Sequence, residues 1–205
     1  MPKQYLIFDF DGTLVDSLGD TGKTILSILS EVPDTNIDKA NEYFLKSTGT
    51  PLIQQIEEFY TGRNINSREL SEKIYTKFLT FDWQFFPGVR EKIQELAGKY
   101  TLFLTTGNST PVAEKHLKKS GIYEYFAVIL GSEKILKGHQ HLEIFEGYSQ
   151  DKEFYQKSIY IGDGNSDRDF AREKGIDFIH IGNSGIDKYE IPSVVDIDSI
   201  LNLLT

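Results

Sequence analysis

The stretch Tyr5-Leu-Ile-Phe-Asp-Phe-Asp-Gly-Thr-Leu-Val-Asp-Ser17 joins an apolar run to two aspartates, spaced two residues apart, and then to a glycine. The apolar run predicts a buried strand that presents carboxylates at its C-terminal end. Residues i and i+2 of an extended chain point to the same side, so Asp9 and Asp11 can converge, while Gly12 lets the backbone turn tightly behind them. Asp-Gly is also the commonest hairpin signal, so this segment alone leaves a plain polar turn as an alternative.

The two aspartates suggest a metal ion. Neighbouring carboxylates repel each other and are expensive to bury. A hard divalent cation such as Mg2+ is the usual remedy, because it prefers oxygen ligands. We therefore expect a Mg2+ site around Asp9 and Asp11.

Composition limits the classes of function that the chain can serve. Its 205 residues are 39% hydrophobic and 13% aromatic, which is enough to build a packed core. Thirty-one acidic against 22 basic residues give a net charge of -9, which argues against nucleic acid or an anionic membrane as the main partner. The absence of cysteine excludes disulfides, thiolate metal sites and cysteine nucleophiles. No signal peptide or membrane-length apolar run is visible, so the cytoplasm is the expected location.

The character of the sequence changes after the first motif. Between residues 17 and 86 no clear strand signal occurs, and apolar residues recur at helical spacing. Asn66 with Glu69 three residues later is typical of a capping box at a helix start. The apolar positions mark three helices, by Ile25, Ile28 and Leu29, by Ile53, Ile56 and Phe59, and by Leu70, Ile74 and Phe78. We expect residues 17–86 to form a helical cap domain, hinged near 15–17 and 82–87, on a core of residues 1–16 and 87–205.

Strand and helix signals alternate in the second half of the chain. A turn at 86–88 leads into a helix, and apolar runs then follow at 100–105, 126–131, 158–163 and 178–182, with a further candidate strand near 193. Residues 183–205 read as a loop, an edge strand and a short final helix. The alternation predicts an α/β fold with a Rossmann-like parallel sheet, helices on both faces, and a site at the C-terminal ends of the strands.

Two later strands also end in polar residues. Leu102-Phe-Leu-Thr-Thr-Gly-Asn-Ser-Thr-Pro111 ends in hydroxyls, and Pro111 opens a helix whose free N–H groups favour an anion. The apolar run Ser-Ile-Tyr-Ile-Gly precedes Asp163-Gly-Asn-Ser-Asp167, and a helix with Ala171 and a closing Gly175 follows. A lone Gly-Asp-Gly is a turn, whereas its place after a buried strand favours a functional site.

These segments together resemble the haloacid dehalogenase superfamily, whose first motif is DxDGT and whose last is GDxxxD. The longer DGTLVDS is similar to the branch that contains phosphoglycolate phosphatase and beta-phosphoglucomutase. Four motifs in the expected order cover essentially the whole chain. The resemblance implies a cytoplasmic Mg2+-dependent phosphatase that acts on a small phosphorylated metabolite, as a monomer or a homodimer.

The resemblance also implies roles for the aspartates. Asp9 would attack phosphorus to form an aspartyl phosphate. Asp11 would protonate the leaving oxygen and then deprotonate the attacking water. Mg2+ would be held by Asp9, the backbone carbonyl of Asp11, and Asp163. Asp167 would ligate directly or through water, or would hold the lysine of the third motif.

The phosphoryl-binding residues follow from the same resemblance. Thr106 would bind the phosphoryl group together with the N–H of Gly107 or Asn108, and Thr105 is the alternative by one register step. The lysine that holds the phosphoryl group is one of Lys134, Lys137 and Lys152. Lys137 is preferred because Lys-Gly at a helix start resembles the family's placement.

Other functions remain open at this point. A phosphosugar mutase of the same superfamily would return the phosphoryl group to a sugar phosphate. In a different class, a phosphoaspartate receiver domain also combines an acidic cluster, Thr, Lys and Mg2+, but it accounts poorly for the helical insert. A catalytically silent relative that binds phosphate is a third alternative. Candidate specificity residues in the insert are Lys46, Thr48, Gly49, Thr50 and Arg63.

Overall fold

A six-stranded, wholly parallel sheet organises the computed structural model, which describes residues 1–204. The spatial order of the strands is β3-β2-β1-β4-β5-β6. This is the 3-2-1-4-5-6 order of Rossmann folds, which differs from the 2-1-3-4-5 order of flavodoxin-like folds such as receiver domains. The strands are β1 (Tyr5–Phe8), β2 (Thr101–Thr105), β3 (Phe126–Leu130), β4 (Ser158–Gly162), β5 (Asp177–Ile181) and β6 (Glu190–Ile191).

Helices cover both faces of the sheet. Side chains alternate along β1, so that Leu6 and Phe8 pack in one buried cluster while Tyr5 and Ile7 pack in another on the opposite face. The described helices are α1 (Leu18–Leu29), α2 (Ile37–Lys46), α3 (Leu52–Phe59), α4 (Ser67–Phe78), α5 (Val89–Ala97), α6 (Thr110–Ser120), α7 (His139–Ser149), α8 (Asn165–Lys174) and α9 (Asp198–Leu204). The predicted α/β class is therefore confirmed.

Residues 17–86, hereafter the helical insert, contain four helices rather than the three that apolar spacing predicts. Helix α2 was missed because only Ala40 and Phe44 of its ten residues are buried, which makes its apolar stripe too narrow to recognise. Its start is nevertheless capped, since Asn36 Oδ1 accepts a hydrogen bond from the Lys39 N–H. The expected cap at Asn66 is present and accepts from the Glu69 N–H.

The candidate strand near residue 193 is wrong. Val194–Asp196 form a short 3-10 turn, and Ser193 caps it by accepting from the Val195 N–H. Val194 and Ile197 are fully buried at a spacing of three, which is the period of a helical turn rather than of a strand. The edge strand is β6, a few residues earlier.

The helical insert begins and ends at neighbouring points of the chain. Val15 pairs with Phe85 in an isolated antiparallel bridge. On either side of it, the Asp16 N–H donates to the Gln84 carbonyl and the Phe86 N–H donates to the Leu14 carbonyl, both at 3.0 Å. The two segments that connect the helical insert to the rest of the chain are therefore hydrogen-bonded to each other.

None of the helices within residues 1–204 is both long enough and apolar enough to cross a membrane.

Candidate active site

Three adjacent strands bring the predicted motifs together. Strand β1 lies between β2 and β4 in parallel register, so their C-terminal ends meet at one edge of the sheet. Asp9 follows β1, Thr106 follows β2 and Asp163 follows β4. The strand order is therefore what places residues from distant parts of the chain in one site.

Lys137 lies between two of the aspartates. Its Nζ is 2.6 Å from Asp9 Oδ1 and 2.8 Å from Asp167 Oδ1. All three side chains are almost completely buried. Asp167 is held further by the Tyr160 hydroxyl at 2.9 Å and by the Gly164 N–H at 3.1 Å. Asp167 was expected either to ligate the metal, directly or through water, or to hold the lysine. The structure shows its contact with Lys137.

The loop after β3 carries Lys137 into the site. The Ser132 hydroxyl donates to the Thr106 carbonyl at 2.8 Å and accepts from the Lys137 N–H at 3.1 Å. This serine therefore links the β2 and β3 loops through one buried atom. The other two candidate lysines, Lys134 and Lys152, are exposed.

Asp11 has different partners from Asp9. The Ser17 hydroxyl donates to its Oδ1 at 2.7 Å, and the Thr106 hydroxyl donates to its Oδ2 at 3.0 Å. Thr106 Oγ1 in turn accepts from the Asn108 N–H at 3.0 Å. Asp9 and Asp11 are only two residues apart but have different environments. The Asp9 carboxylate lies beside the Lys137 ammonium group, whereas the Asp11 carboxylate accepts hydrogen bonds from two hydroxyl groups.

Thr105, the alternative to Thr106, points away from the aspartates. Its hydroxyl is 2.8 Å from Nδ1 of the buried His141, on α7. Successive residues at the end of β2 face opposite sides of the sheet, so only one of the two threonines can reach the carboxylates. The structure places Thr106 there.

Burial shifts the pKa values of these groups. Burial raises the pKa of Asp9 well above its ordinary value, opposed by Lys137 and reinforced by the neighbouring carboxylates. Burial would lower the pKa of Lys137, but the charges of Asp167 and Asp9 outweigh it, and its pKa is raised. Burial also raises the pKa of Asp163 to about 6, and it raises that of Asp11 against the hydrogen bonds from Ser17 and Thr106.

The same carboxylates fit a divalent cation. Asp9, Asp163 and Asp167 can each offer one oxygen, and these atoms all lie within 4.8 Å of one another. A single lysine cannot neutralise three neighbouring carboxylates, two of them buried, and an all-oxygen donor set suits Mg2+. Gly12 allows this arrangement, because at its φ of 77° a Cβ atom would stand 2.4 Å from Asp163 Oδ2.

A cavity of about 170 Å3 separates the carboxylates from the helical insert. Asp9, Asp11, Gly107, Asn108 and Lys137 form its floor. Of the candidate specificity residues, three line the cavity: Thr48, Gly49 and Thr50. The other two do not, since Lys46 pairs with Glu42 and Arg63 donates to the carbonyls of Pro33 and Asp34.

Sequence reasoning missed three residues that position the site. Ser132 follows an apolar strand as a polar residue, and that position is a signal that could have revealed it. Ser17 stands in the first motif, but nothing in the sequence pairs it with Asp11. Tyr160 gives no signal, because a tyrosine inside an apolar strand reads as core.

Comparison with known proteins agrees with this geometry. The family model described as haloacid dehalogenase-like hydrolase matches residues 6–181. This chain belongs to the haloacid dehalogenase-like hydrolase family. The superfamily resemblance of the four motifs is thereby confirmed.

Relatives and solved structures extend the comparison. The chain is 28% identical over 144 residues to a phosphoglycolate phosphatase from Yersinia pseudotuberculosis, a match that covers 65% of this chain and 61% of that protein. A haloacid dehalogenase-like family hydrolase from Streptococcus pneumoniae superposes with a TM-score of 0.74 at 23% identity, covering 97% of this chain and 98% of its own. A predicted phosphatase from Clostridium acetobutylicum reaches 0.78 at 19% identity, with 100% and 99% covered. These two structures establish the fold.

Proposed function

We propose that this protein is a Mg2+-dependent phosphatase that hydrolyses a small phosphate monoester through an aspartyl phosphate on Asp9. One observation carries the proposal: Asp9 lies in a buried carboxylate cluster beside Lys137, while Asp11 is held apart by hydroxyl groups. The first position suits a nucleophile next to a charged phosphoryl group, and the second suits a proton carrier. The names of the relatives in the comparison point to the same chemistry.

Asp9 and Asp11 have different roles in each of the two steps of the reaction. A carboxylate oxygen of Asp9 attacks phosphorus, the bond to the ester oxygen breaks, and that oxygen takes a proton from Asp11. Water then attacks the phosphoaspartate, Asp11 takes the water proton back, and inorganic phosphate leaves with Asp9 restored. The raised pKa of Asp11 supports this role, because a carboxyl group must be protonated to donate.

Lys137 and the β2 loop bind the phosphoryl group. Lys137 faces Asp9 and supplies a fixed positive charge near the reacting atoms. The Asn108 N–H already donates to Thr106, which favours the Gly107 N–H as the donor to a phosphoryl oxygen. Thr106 then orients Asp11 in addition to lining the phosphoryl site.

Asp9, Asp163 and the backbone carbonyl of Asp11 would hold Mg2+. Asp167 belongs to the same cluster, and its contacts with Lys137 and Tyr160 favour a role in orienting the lysine. When bound, the cation offsets the repulsion between an anionic nucleophile and an anionic substrate.

The helical insert acts as a cap over this site in the proposal, hinged on the paired connections at residues 14–16 and 84–86. Its segment Thr48–Pro51 approaches the site closely, since a Cβ atom on Gly107 would stand 3.1 Å from the Thr50 carbonyl oxygen. Closure of such a cap would exclude water until the ester is cleaved.

Hydrolysis of phosphate monoesters with and without Mg2+ tests the proposal. We expect activity that requires the cation and that excess EDTA abolishes. Mass spectrometry of acid-quenched enzyme should locate phosphate on Asp9. Undiminished turnover in EDTA, or no hydrolysis of any ester, would contradict it.

A further inference from the structure

Resting on the phosphatase activity proposed above, we propose that the substrate's leaving group is uncharged and mainly apolar. The part of the cavity above the carboxylates is where a leaving group must lie, because the phosphoryl group occupies the floor. Its walls come mostly from the helical insert, and most of their side chains are apolar. These apolar residues are Leu18, Ile25, Leu26, Phe44, Leu45, Leu52, Tyr75 and Phe78.

The side chains that line the cavity offer no spare cation to an anionic leaving group. Among the residues that line it within the described chain, Lys137 carries the single positive charge, and Asp9 and Asp167 already flank it. Asp9 and Asp11 add negative charge at the floor. A carboxylate or second phosphate on the leaving group would therefore lie near these like charges without a cationic side chain to pair with, which is unfavourable.

Four polar side chains of the walls already use a donor on a backbone carbonyl, so they offer that donor less readily to a leaving group. The donors and their acceptors are Thr21 Oγ1 to Ser17 at 3.1 Å, Thr48 Oγ1 to Leu45 at 3.0 Å, Tyr75 Oη to Gly107 at 3.0 Å, and Gln55 Nε2 to Ser47 at 2.7 Å.

This assignment separates the chain from the activity that its relatives' names describe. Phosphoglycolate carries a carboxylate on its leaving group, and the described cavity offers that carboxylate no cation. A site without a counter-charge binds an anionic ligand more weakly than a neutral ligand of similar shape, so it discriminates between the two.

A matched pair of esters tests the charge preference directly. Phosphoglycolate and its amide differ by one charge at nearly constant size, and phenyl phosphate serves as an apolar reference. We expect kcat/KM for the amide to exceed that for phosphoglycolate by about tenfold or more. Equal values or a preference for phosphoglycolate would overturn the inference while leaving the phosphatase proposal intact. Failure to hydrolyse all three esters would contradict both.

A second experiment introduces a positive charge into the cavity wall. Leu18 lines the cavity and is 43% exposed, so Leu18→Lys can present an ammonium group without burying it on folding. Leu79, 39% exposed and outside the cavity lining, provides the matched control Leu79→Lys. We expect Leu18→Lys to raise kcat/KM for phosphoglycolate relative to its amide by about tenfold, and Leu79→Lys to leave that ratio unchanged. An equal change in both variants would overturn the inference.

Discussion

Oδ1 of Asp9 lies 2.6 Å from Nζ of Lys137, although 128 residues separate them in the chain. Both groups are buried, and the lysine also serves Asp167. One ammonium group therefore compensates the charge at the end of β1 and at the start of α8. The contact therefore bears on folding as well as on the proposed chemistry.

Lys137→Met should destabilise the protein because it leaves buried carboxylates without their cation. Removing one partner of a buried pair typically costs about 3–5 kcal/mol, so we expect a loss of that order in the free energy of unfolding. Added Mg2+ should recover part of it, since a ligand that binds only the native state stabilises it. Urea denaturation with and without Mg2+ measures both effects.

Lys118→Met is the control for that experiment. Lys118 pairs with Glu114 on the surface of α6, and such exposed pairs contribute about 1 kcal/mol or less. A similar decrease in the free energy of unfolding in the two variants would show that the burial of Lys137 contributes no extra stability.

Asp9→Asn and Asp11→Asn should fail in different ways. Asp9→Asn removes the nucleophile, so no phosphoenzyme should form with any substrate. Asp11→Asn keeps the nucleophile, and p-nitrophenyl phosphate, whose leaving group needs no proton, can still phosphorylate Asp9. Hydrolysis then lacks its general base and should slow by roughly a hundredfold to ten-thousandfold.

Pre-steady-state absorbance distinguishes these two variants. We expect a stoichiometric burst of nitrophenolate from Asp11→Asn followed by slow turnover, with phosphate on Asp9 by mass spectrometry. A burst from Asp9→Asn, or phosphate on another residue, would mean that the nucleophile is wrongly assigned.

His141 should make stability fall in mildly acidic solution. Burial lowers the pKa of His141 to about 4, Lys137 lowers it further, and hydrogen bonding to the Ile135 carbonyl and the charge of Glu133 oppose the shift. Between pH 6.5 and 4 His141 is protonated in the unfolded chain but not in the native state. The free energy of unfolding therefore decreases as pH falls through this window. At pH 5 this contribution amounts to about 2 kcal/mol relative to pH 7.5.

Comparison with His141→Gln isolates that contribution from the other titrating groups. Glutamine can still hydrogen-bond to the Ile135 carbonyl, but it does not titrate. Urea unfolding at pH 7.5 and pH 5 should show a smaller fall for the variant, by about 2 kcal/mol. Identical falls in both proteins would rule the histidine out as the cause.

Gly49→Leu should interfere with the approach of the helical insert to the core. A Cβ atom at Gly49 would stand 2.3 Å from Ser166 Oγ, beside the loop that carries Asp163. Gly62→Leu is a matched control, because Gly62 also has a positive φ but its Cβ would meet nothing within 4 Å. Both variants should lose some stability, since a side chain is strained at these φ values.

Activity separates the two glycine variants. We expect kcat/KM to fall about tenfold or more in Gly49→Leu, because small displacements at a closed site are costly, and to change little in Gly62→Leu. Equal kcat/KM values in the two variants would argue against closure of the insert over Asp9.

Much of the α/β core was predictable because its local signals agree with its tertiary structure. Strands β1 to β4 are predominantly apolar runs, and Asp9, Thr106 and Asp163 stand where three of these runs end. Adjacent parallel strands must then bring these residues together. Of the three candidate lysines Lys134, Lys137 and Lys152, Lys137 is the buried one and contacts Asp9, while its role in binding phosphate stays a prediction.

Features decided by tertiary contacts were not predictable. Helix α2 has too few buried residues to produce a pattern, and the short apolar pair Val194-Val195 resembles a strand until burial shows the turn spacing of Val194 and Ile197. The specificity candidates Lys46 and Arg63 carry the charges one expects of an anion site, yet both face partners outside the cavity. Side-chain direction of this kind depends on packing that no local pattern encodes.

The hydrogen-bonded pairing of residues 14–16 with 84–86 has an evolutionary consequence. Because entry and exit are adjacent, everything between them can lengthen, shorten or be exchanged without altering the register of the sheet. A chain without the four helices would need only a tight turn there to rejoin its two halves. The carboxylates of the candidate site and the residues of the insert that line the cavity are therefore free to diverge at different rates, so that replacing a single contiguous segment can change the cavity walls while the carboxylates stay in place.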